Sequence, residues 1–159
     1  MNFAMVRAGR DAESISDLAQ LCRIIHGEAK APDISYWAES DYEPYFILVN
    51  GESIGIAVVK RNADAAATYN QESPRAEGSL YLCFIGIVPI RRRYGFGRLV
   101  MLWLRTLARI GRYTRIVSNV RLSNMASQNL HVSCGFGTLG TQKDYYPDGE
   151  ASLIMEYRL

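Results

Sequence analysis

The residues best equipped for chemistry lie between Ser79 and Arg98, in S-L-Y-L-C-F-I-G-I-V-P-I-R-R-R-Y-G-F-G-R. Gly95 and Gly97 stand among Arg91, Arg92, Arg93 and Arg98, and the apolar run Leu99 to Ile110 follows at once. Glycines let a backbone turn tightly and come close to a ligand. The first N–H groups of a following helix have no partner within it. Oriented N–H groups suit phosphate oxygens. A plainer reading stands beside this one: an arginine run is commonly a solvated or nucleic-acid-facing patch, and glycines before a helix commonly make only a turn.

The elements that must position this loop can be read along the chain. Its own first half is apolar and β-branched, a strand stopped by Pro89, so the stretch reads strand, loop, helix. Asn2 to Ala8 reads as a first strand, and Asp11 as the N-cap of a helix with Ile15, Leu18, Ala19, Cys22 and Ile25 on one face and Gly27 as its stop. Glu28 to Pro44 has no clean period and is read as a loop with one short helix near Ser35 to Ser40. Tyr45–Val49 and Ser53–Lys60 flank Asn50-Gly51, which predicts a tight β-hairpin. The polar, alanine-rich Asn62 to Gly78, broken by Pro74, reads as an exposed loop. Leu99 to Ile110 reads as a buried helix with Trp103 in the core. Arg115 to Arg121 reads as a strand, followed by a helix capped by Ser123 or Asn124 and running to Gly135. Phe136–Thr141 and Ala151–Tyr157 finish the chain as strands joined by K-D-Y-Y-P-D-G-E. The order β-α-(α)-β-β-β-α-β-α-β-β predicts an α/β (α+β) fold with a mixed sheet and helices on both faces.

A chain of 159 residues suits one domain, expected to span residues 1–159. The net charge of +2 is too small for whole-surface binding to nucleic acid, so basic function has to be local. The N-terminus lacks the apolar core of a signal peptide, and no apolar run approaches the roughly 18 residues of a membrane span; a cytoplasmic location is expected. Cys22, Cys83 and Cys134 are odd in number and widely spaced, which argues for reduced thiols, no disulfide and no structural zinc.

R-R-Y-G-F-G at Arg92 to Gly97 resembles the acetyl-CoA-binding motif of the GCN5-related N-acetyltransferases, the GNAT family. N-M-A-S-Q-N-L-H-V-S-C-G-F at Asn124 to Phe136 is similar to the family's later motif, with Asn124, Ser127, Leu130, Gly135 and Phe136 in register. The resemblance covers about the whole chain and implies the GNAT fold, a mixed, mostly antiparallel sheet of about seven strands flanked by helices on both faces. It implies acetyl-CoA as cosubstrate and CoA as product. Ile85, Gly86 and Ile87 would offer backbone groups to the pantetheine arm from a splayed strand end, and Arg92, Arg93, Tyr94, Gly95, Phe96, Gly97 and Arg98 would surround the pyrophosphate. Asn124 and Ser127 complete the implied cofactor contacts.

The tail K-D-Y-Y-P-D-G-E-A-S-L-I-M, Lys143 to Met155, resembles that of N-terminal α-amine acetyltransferases, including the type that modifies a ribosomal-protein alanine. There the tyrosine pair lines the groove for the substrate's first residues, so Tyr145 and Tyr146 are candidates for substrate binding; packing residues would look the same. Two positions depart from the pattern. Asn119 stands where a Glu or His base is usual, and His131 where the catalytic Tyr is usual. An amide takes no proton at neutral pH, so Asn119 is left to orient a water or the amine. His131 has two readings, an imidazolium that protonates the leaving thiolate or a residue that only packs.

An α-amine with a pKa of about 7.7 to 8.0 is neutral far more often at pH 7 than a lysine near 10.4, a gap of roughly 3.4 kcal/mol. A site without a strong base therefore suits an N-terminal amine. The expected function is direct acetyl transfer to a primary amine, a protein or peptide N-terminus, by a cytoplasmic monomer or homodimer without nucleic-acid or membrane partners. A small-molecule amine acetyltransferase, a catalytically degenerate acetyl-CoA-binding module, and a nucleic-acid binder built on Arg91 to Arg98 and Arg105 to Arg115 stay open as alternatives.

Overall fold

The computed structural model describes residues 1–27, 31–38, 41–61 and 78–159. The loop expected at Asn62 to Gly78 lies almost wholly outside them. Contacts gather into two compact units, one of Met1–Lys60 with Cys83–Trp103, the other of Arg61–Leu82 with Leu104–Leu159. The strands take the order β1-β2-β3-β4-β5-β7-β6 in a seven-stranded sheet. With three α-helices this is a mixed α/β architecture whose described pairings are antiparallel except for β4 with β5.

In the first unit, β1 (Phe3–Arg7) pairs with β2 (Tyr42–Val49), and β2 with β3 (Glu52–Lys60). Asn50 and Gly51 turn the hairpin with φ of 52° and 84°, as the Asn-Gly pair predicts. Helix α1 (Ala12–His26) starts where Asp11 accepts the Ser14 N–H and stops at Gly27. Its apolar stripe buries Leu18, Leu21, Cys22 and Ile25 in a core shared with Ile47, Ile54 and Ile56. The segment before β2 holds a short 3₁₀ turn, Ser35–Ala38, and buries Trp37 completely, although its sequence has no period. The remainder of the unit is the second half of β4 (Ser79–Ile87), a 3₁₀ turn at Pro89–Arg91, and the first half of α2 (Phe96–Ile110).

In the second unit the first half of β4 pairs in parallel with β5 (Arg115–Arg121), in a register that ends at Leu82 opposite Ser118. Strand β7 (Ser152–Arg158) lies between β5 and β6 (Gly137–Gln142). Helix α3 (Met125–Ser133) is capped by Asn124, which accepts the Ser127 N–H at 3.0 Å. Leu80, Ile116 and Met155 are fully buried.

The start of α2 and the burial of Trp103 differ from the sequence reading. Helix α2 begins at Phe96 rather than Leu99, because Gly95, at φ 85°, turns its carbonyl to accept from the N–H groups of Arg98 and Leu99. Phe96, Gly97 and Arg98 are thus the first helical turn. Trp103 is half-buried and packs edge-on against Tyr45 at 4.7 Å, so it borders the core.

Candidate active site

The glycine loop of the first unit is held by its own arginines. Arg92 donates from Nε to the Ile87 carbonyl at 2.9 Å and from Nη2 to the Ile25 carbonyl at 2.7 Å. Its guanidinium braces the loop against β4 and the end of α1 through two of its donors. Arg91 pairs with Glu52 at 2.7 Å. Arg93, Tyr94 and Arg98 are exposed, and Phe96 is buried as the helix's anchor. Arg93 and Gly95 both have positive φ, 65° and 85°, and a Cβ at Gly95 would meet nothing within 4 Å. Open space over the backbone, the N–H groups of Phe96 and Gly97 at the helix start, and two exposed guanidiniums fit a diphosphate. Upstream, Ile85 and Ile87 are half-buried and Gly86 is buried.

The second unit sorts the remaining candidates by sheet face. Residues directly opposite in a strand pair share a face, and successive residues alternate. Asn119 opposes Ile154, Arg121 opposes Ser152, and Tyr81 aligns with Val117, so these six side chains share one face. Tyr145 and Tyr146, from the β6–β7 connection, lie over it. The Tyr145 and Tyr81 hydroxyls are 3.2 Å apart. Tyr146 donates from its hydroxyl to the Asn119 carbonyl at 3.4 Å, and the two rings of the pair stand at 88° with centroids 4.8 Å apart. Asn119 donates from Nδ2 to Ser152 Oγ at 2.8 Å, and its buried Oδ1 has no hydrogen-bond partner among the described residues. Arg121 stacks on Tyr146, 3.9 Å from the ring centroid, and pairs with Asp148 and Glu150. Hydrogen bonds from Ser123 and then from Arg121 hold the Glu150 carboxyl down to about 2.

His131 belongs to the other face. Its ring meets Phe136 edge-on at 5.0 Å, and Phe136 lies 5.6 Å from Tyr157, which opposes Ile116. The structure therefore gathers Asn119, Tyr145 and Tyr146 and leaves His131 apart from them. Only 1% of His131 is exposed, and its Nδ1 lies 2.8 Å from the Ser127 carbonyl. A carbonyl only accepts, so Nδ1 carries the proton. Nε2 is then a bare lone pair, buried and without a partner among the described residues. Burial pushes the imidazole pKa below its usual value, although the Ser127 carbonyl opposes the shift. Near pH 7 the neutral ring offers Nε2 as an acceptor.

This has a measurable consequence. A folded-state pKa below the unfolded value of about 6.5 means that the unfolded chain binds the proton more readily. The stabilising contribution is present above about pH 6.5 and is lost as pH falls through the lowered folded value. His131→Gln is expected to flatten the fall in Tm between pH 7 and pH 5 relative to wild type. Parallel falls in the two proteins would contradict a buried neutral ring.

Cys22, Cys83 and Cys134 form no disulfide, and burial pushes the Cys22 thiol up to about 11 and the Cys83 thiol up to about 12. No cluster of His, Cys, Asp or Glu among the described residues is arranged to hold a metal ion, and no described helix is long and apolar enough to cross a membrane.

A sequence model of the acetyltransferase (GNAT) family matches residues 12–136. The chain belongs to this family. No curated protein matches the sequence. Among solved structures, the chain resembles the ribosomal-protein-S18-alanine N-acetyltransferase from Escherichia coli, with a TM-score of 0.76 and 19% identity over 99% of this chain and 94% of that one. It resembles an aminoglycoside acetyltransferase in complex with coenzyme A, with a TM-score of 0.74 and 20% identity over 99% and 95%. It also resembles a chain of the NatC complex bound to a Gag peptide and CoA, with a TM-score of 0.70 and 18% identity over 100% and 99%. Likeness at such low identity establishes the GNAT fold alone. As a GNAT acetyltransferase the protein uses acetyl-CoA as cosubstrate.

Tyr81, Ser152 and Arg121 escape a motif reading. Only Arg121 has a sequence signal, its place in V-R-L-S-N directly before the α3 cap.

Proposed function

We propose that this GNAT acetyltransferase, a single catalytic domain over residues 1–159, transfers an acetyl group directly to the N-terminal α-amine of a protein or peptide. The carrying observation is Asn119. Its buried Oδ1 needs a donor; of the carboxylates at its sheet face, Glu156 is paired with Arg115 and Arg158 and Glu150 with Arg121, and the other neighbours, Tyr81, Tyr145, Tyr146 and Ser152, offer no base active near neutral pH. An amine N–H satisfies that oxygen, and an α-amine is sufficiently deprotonated by itself to react. The names of two structural neighbours, an alanine N-acetyltransferase and a NatC complex with a bound peptide, agree with this reading.

In this proposal Arg93, Arg98 and the N–H groups of Gly95, Phe96 and Gly97 hold the diphosphate, with Arg92 bracing their loop. Backbone groups of Ile85, Gly86 and Ile87 receive the pantetheine arm, and Asn124 and Ser127 add cofactor contacts. The cosubstrate supplies an activated thioester carbonyl. Asn119 orients the amine, and Tyr145 with Tyr146 walls the path of the first residues. His131 is an acceptor through Nε2, so solvent supplies the proton for the departing sulfur.

Release of free thiol from acetyl-CoA tests the proposal, measured against peptides with varied first residues, N-blocked lysine peptides and polyamines. Free N-termini are expected to exceed lysine in kcat/KM by roughly a hundredfold or more, in line with the difference in neutral amine. Turnover on lysine or polyamines alone would overturn the α-amine assignment, and calorimetric binding of acetyl-CoA without turnover on any amine would overturn the enzymatic one.

A further inference from the structure

One side chain of the Asn119 face, Arg121, gathers the carboxylates of the β6–β7 connection. Arg121 Nη1 donates to Asp148 Oδ2 at 2.8 Å and to Glu150 Oε2 at 2.6 Å. The other oxygen of Glu150 accepts the Ser123 N–H at 2.8 Å, which ties the connection to the start of α3. Within the connection, the Tyr146 N–H donates to the Glu150 carbonyl at 3.1 Å and the Gly149 N–H to the Tyr146 carbonyl at 2.8 Å, closing a turn whose side chains converge on one guanidinium. The central carbon of that guanidinium lies over the Tyr146 ring, and the Tyr146 hydroxyl reaches the Asn119 carbonyl. One nitrogen, Nη1, meets both carboxylates while the guanidinium carbon lies over the ring, a combination of charge, donors and ring contact that suits arginine.

We propose that Arg121 is a positioning residue for the acceptor amine, clamping the connection so that the Tyr145–Tyr146 pair is held over Asn119. The inference rests on the proposed acetyl transfer to an amine. Arg121 acts through Tyr146 and touches no reacting atom, so its removal loosens acceptor binding and leaves acetyl-CoA binding intact.

The test compares wild type with Arg121→Met, which keeps an unbranched apolar stem and loses the charge and the donors, and with Arg121→Lys, which keeps the charge without the planar group. The acceptor is whichever amine of the panel above the wild type turns over best. Arg121→Met is expected to raise the acceptor KM roughly tenfold while acetyl-CoA KM stays within about twofold, and Arg121→Lys is expected to fall between. A purely structural role would lower the active fraction without this split. If Arg121→Met does not fold, Glu150→Gln, which weakens one arm of the clamp, is expected to show the same split to a smaller degree. An unchanged acceptor KM in a folded variant, or an equal rise in both KM values, overturns this inference alone. A wild type that acetylates no amine overturns the proposed function and this inference with it.

Discussion

Gly55→Ala is expected to damage cosubstrate binding and stability together, although the residue lies in β3 and outside every motif. A Cβ at Gly55 would stand 2.3 Å from the Gly86 carbonyl oxygen, with Ile87 Cδ1 at 3.0 Å and Ile47 Cδ1 at 3.1 Å. The nearest obstacle is backbone, so no rotamer change relieves it, and β4 must move at the Ile85–Ile87 stretch assigned above to the pantetheine arm. Overpacking of this kind costs about 1–3 kcal/mol. A displacement of the backbone acceptors is expected to weaken acetyl-CoA binding by roughly tenfold, about 1.4 kcal/mol. Titration calorimetry with CoA and a urea melt measure the two effects. Gly140→Ala in β6, where an added methyl meets nothing within 4 Å, is the control and is expected to change neither. Loss of stability with unaltered CoA affinity would remove Gly86 and its neighbours from the cofactor contacts.

The second large effect falls on Trp37. Its side chain is 0% exposed, and its ring lies 5.3 Å from Phe84 and 6.0 Å from Tyr36, with His26 on Phe84 at 5.4 Å. Truncating such a residue costs about 3–5 kcal/mol through lost burial and an unfilled cavity. At this chain length that corresponds to a fall in Tm of roughly 10 °C. Trp37→Ala is expected to show it in a thermal melt, whereas Trp37→Phe is expected to be much milder. The indole Nε1 is buried without a hydrogen-bond partner among the described residues, so replacing it removes an unsatisfied donor. A loss below about 1 kcal/mol for the alanine variant would mean that the unit repacks around the gap.

Much of the architecture is legible because it is written in short-range chemistry. Asp11 and Gly27 bound α1 as a capping residue and a left-handed stop should, Asn50-Gly51 turns its hairpin, and Asn124 caps α3. Each depends on neighbours within a few residues, where local sterics and side-chain-to-backbone hydrogen bonds act. The family is legible for a related reason: a diphosphate cradle needs glycine conformations and a helix start at fixed spacing, and Arg92 to Gly97 displays that spacing without the rest of the fold.

What resisted reading is non-local. Trp37 lies in a segment with no period, so its complete burial is visible only once Phe84 is beside it. Arg92 resembles the other arginines of its run until the Ile25 carbonyl, far away in the chain, is found to occupy it. Gly55 becomes informative only against the backbone of Gly86. Asn119 and His131 were the two departures from the family pattern, and their order along the chain places them as if for one reaction centre. The pairing of β5 with β7 turns Asn119 toward the tyrosines, and the contacts of Phe136 with Tyr157 draw His131 to the opposite face. The sequence by itself determined most of the elements, their caps and the glycine turn into α2, since these follow from local conformational preference. Tertiary structure alone decided which side chains share a face, which imidazole nitrogen keeps its proton and which arginine is already occupied, because register, burial and distant partners set all three.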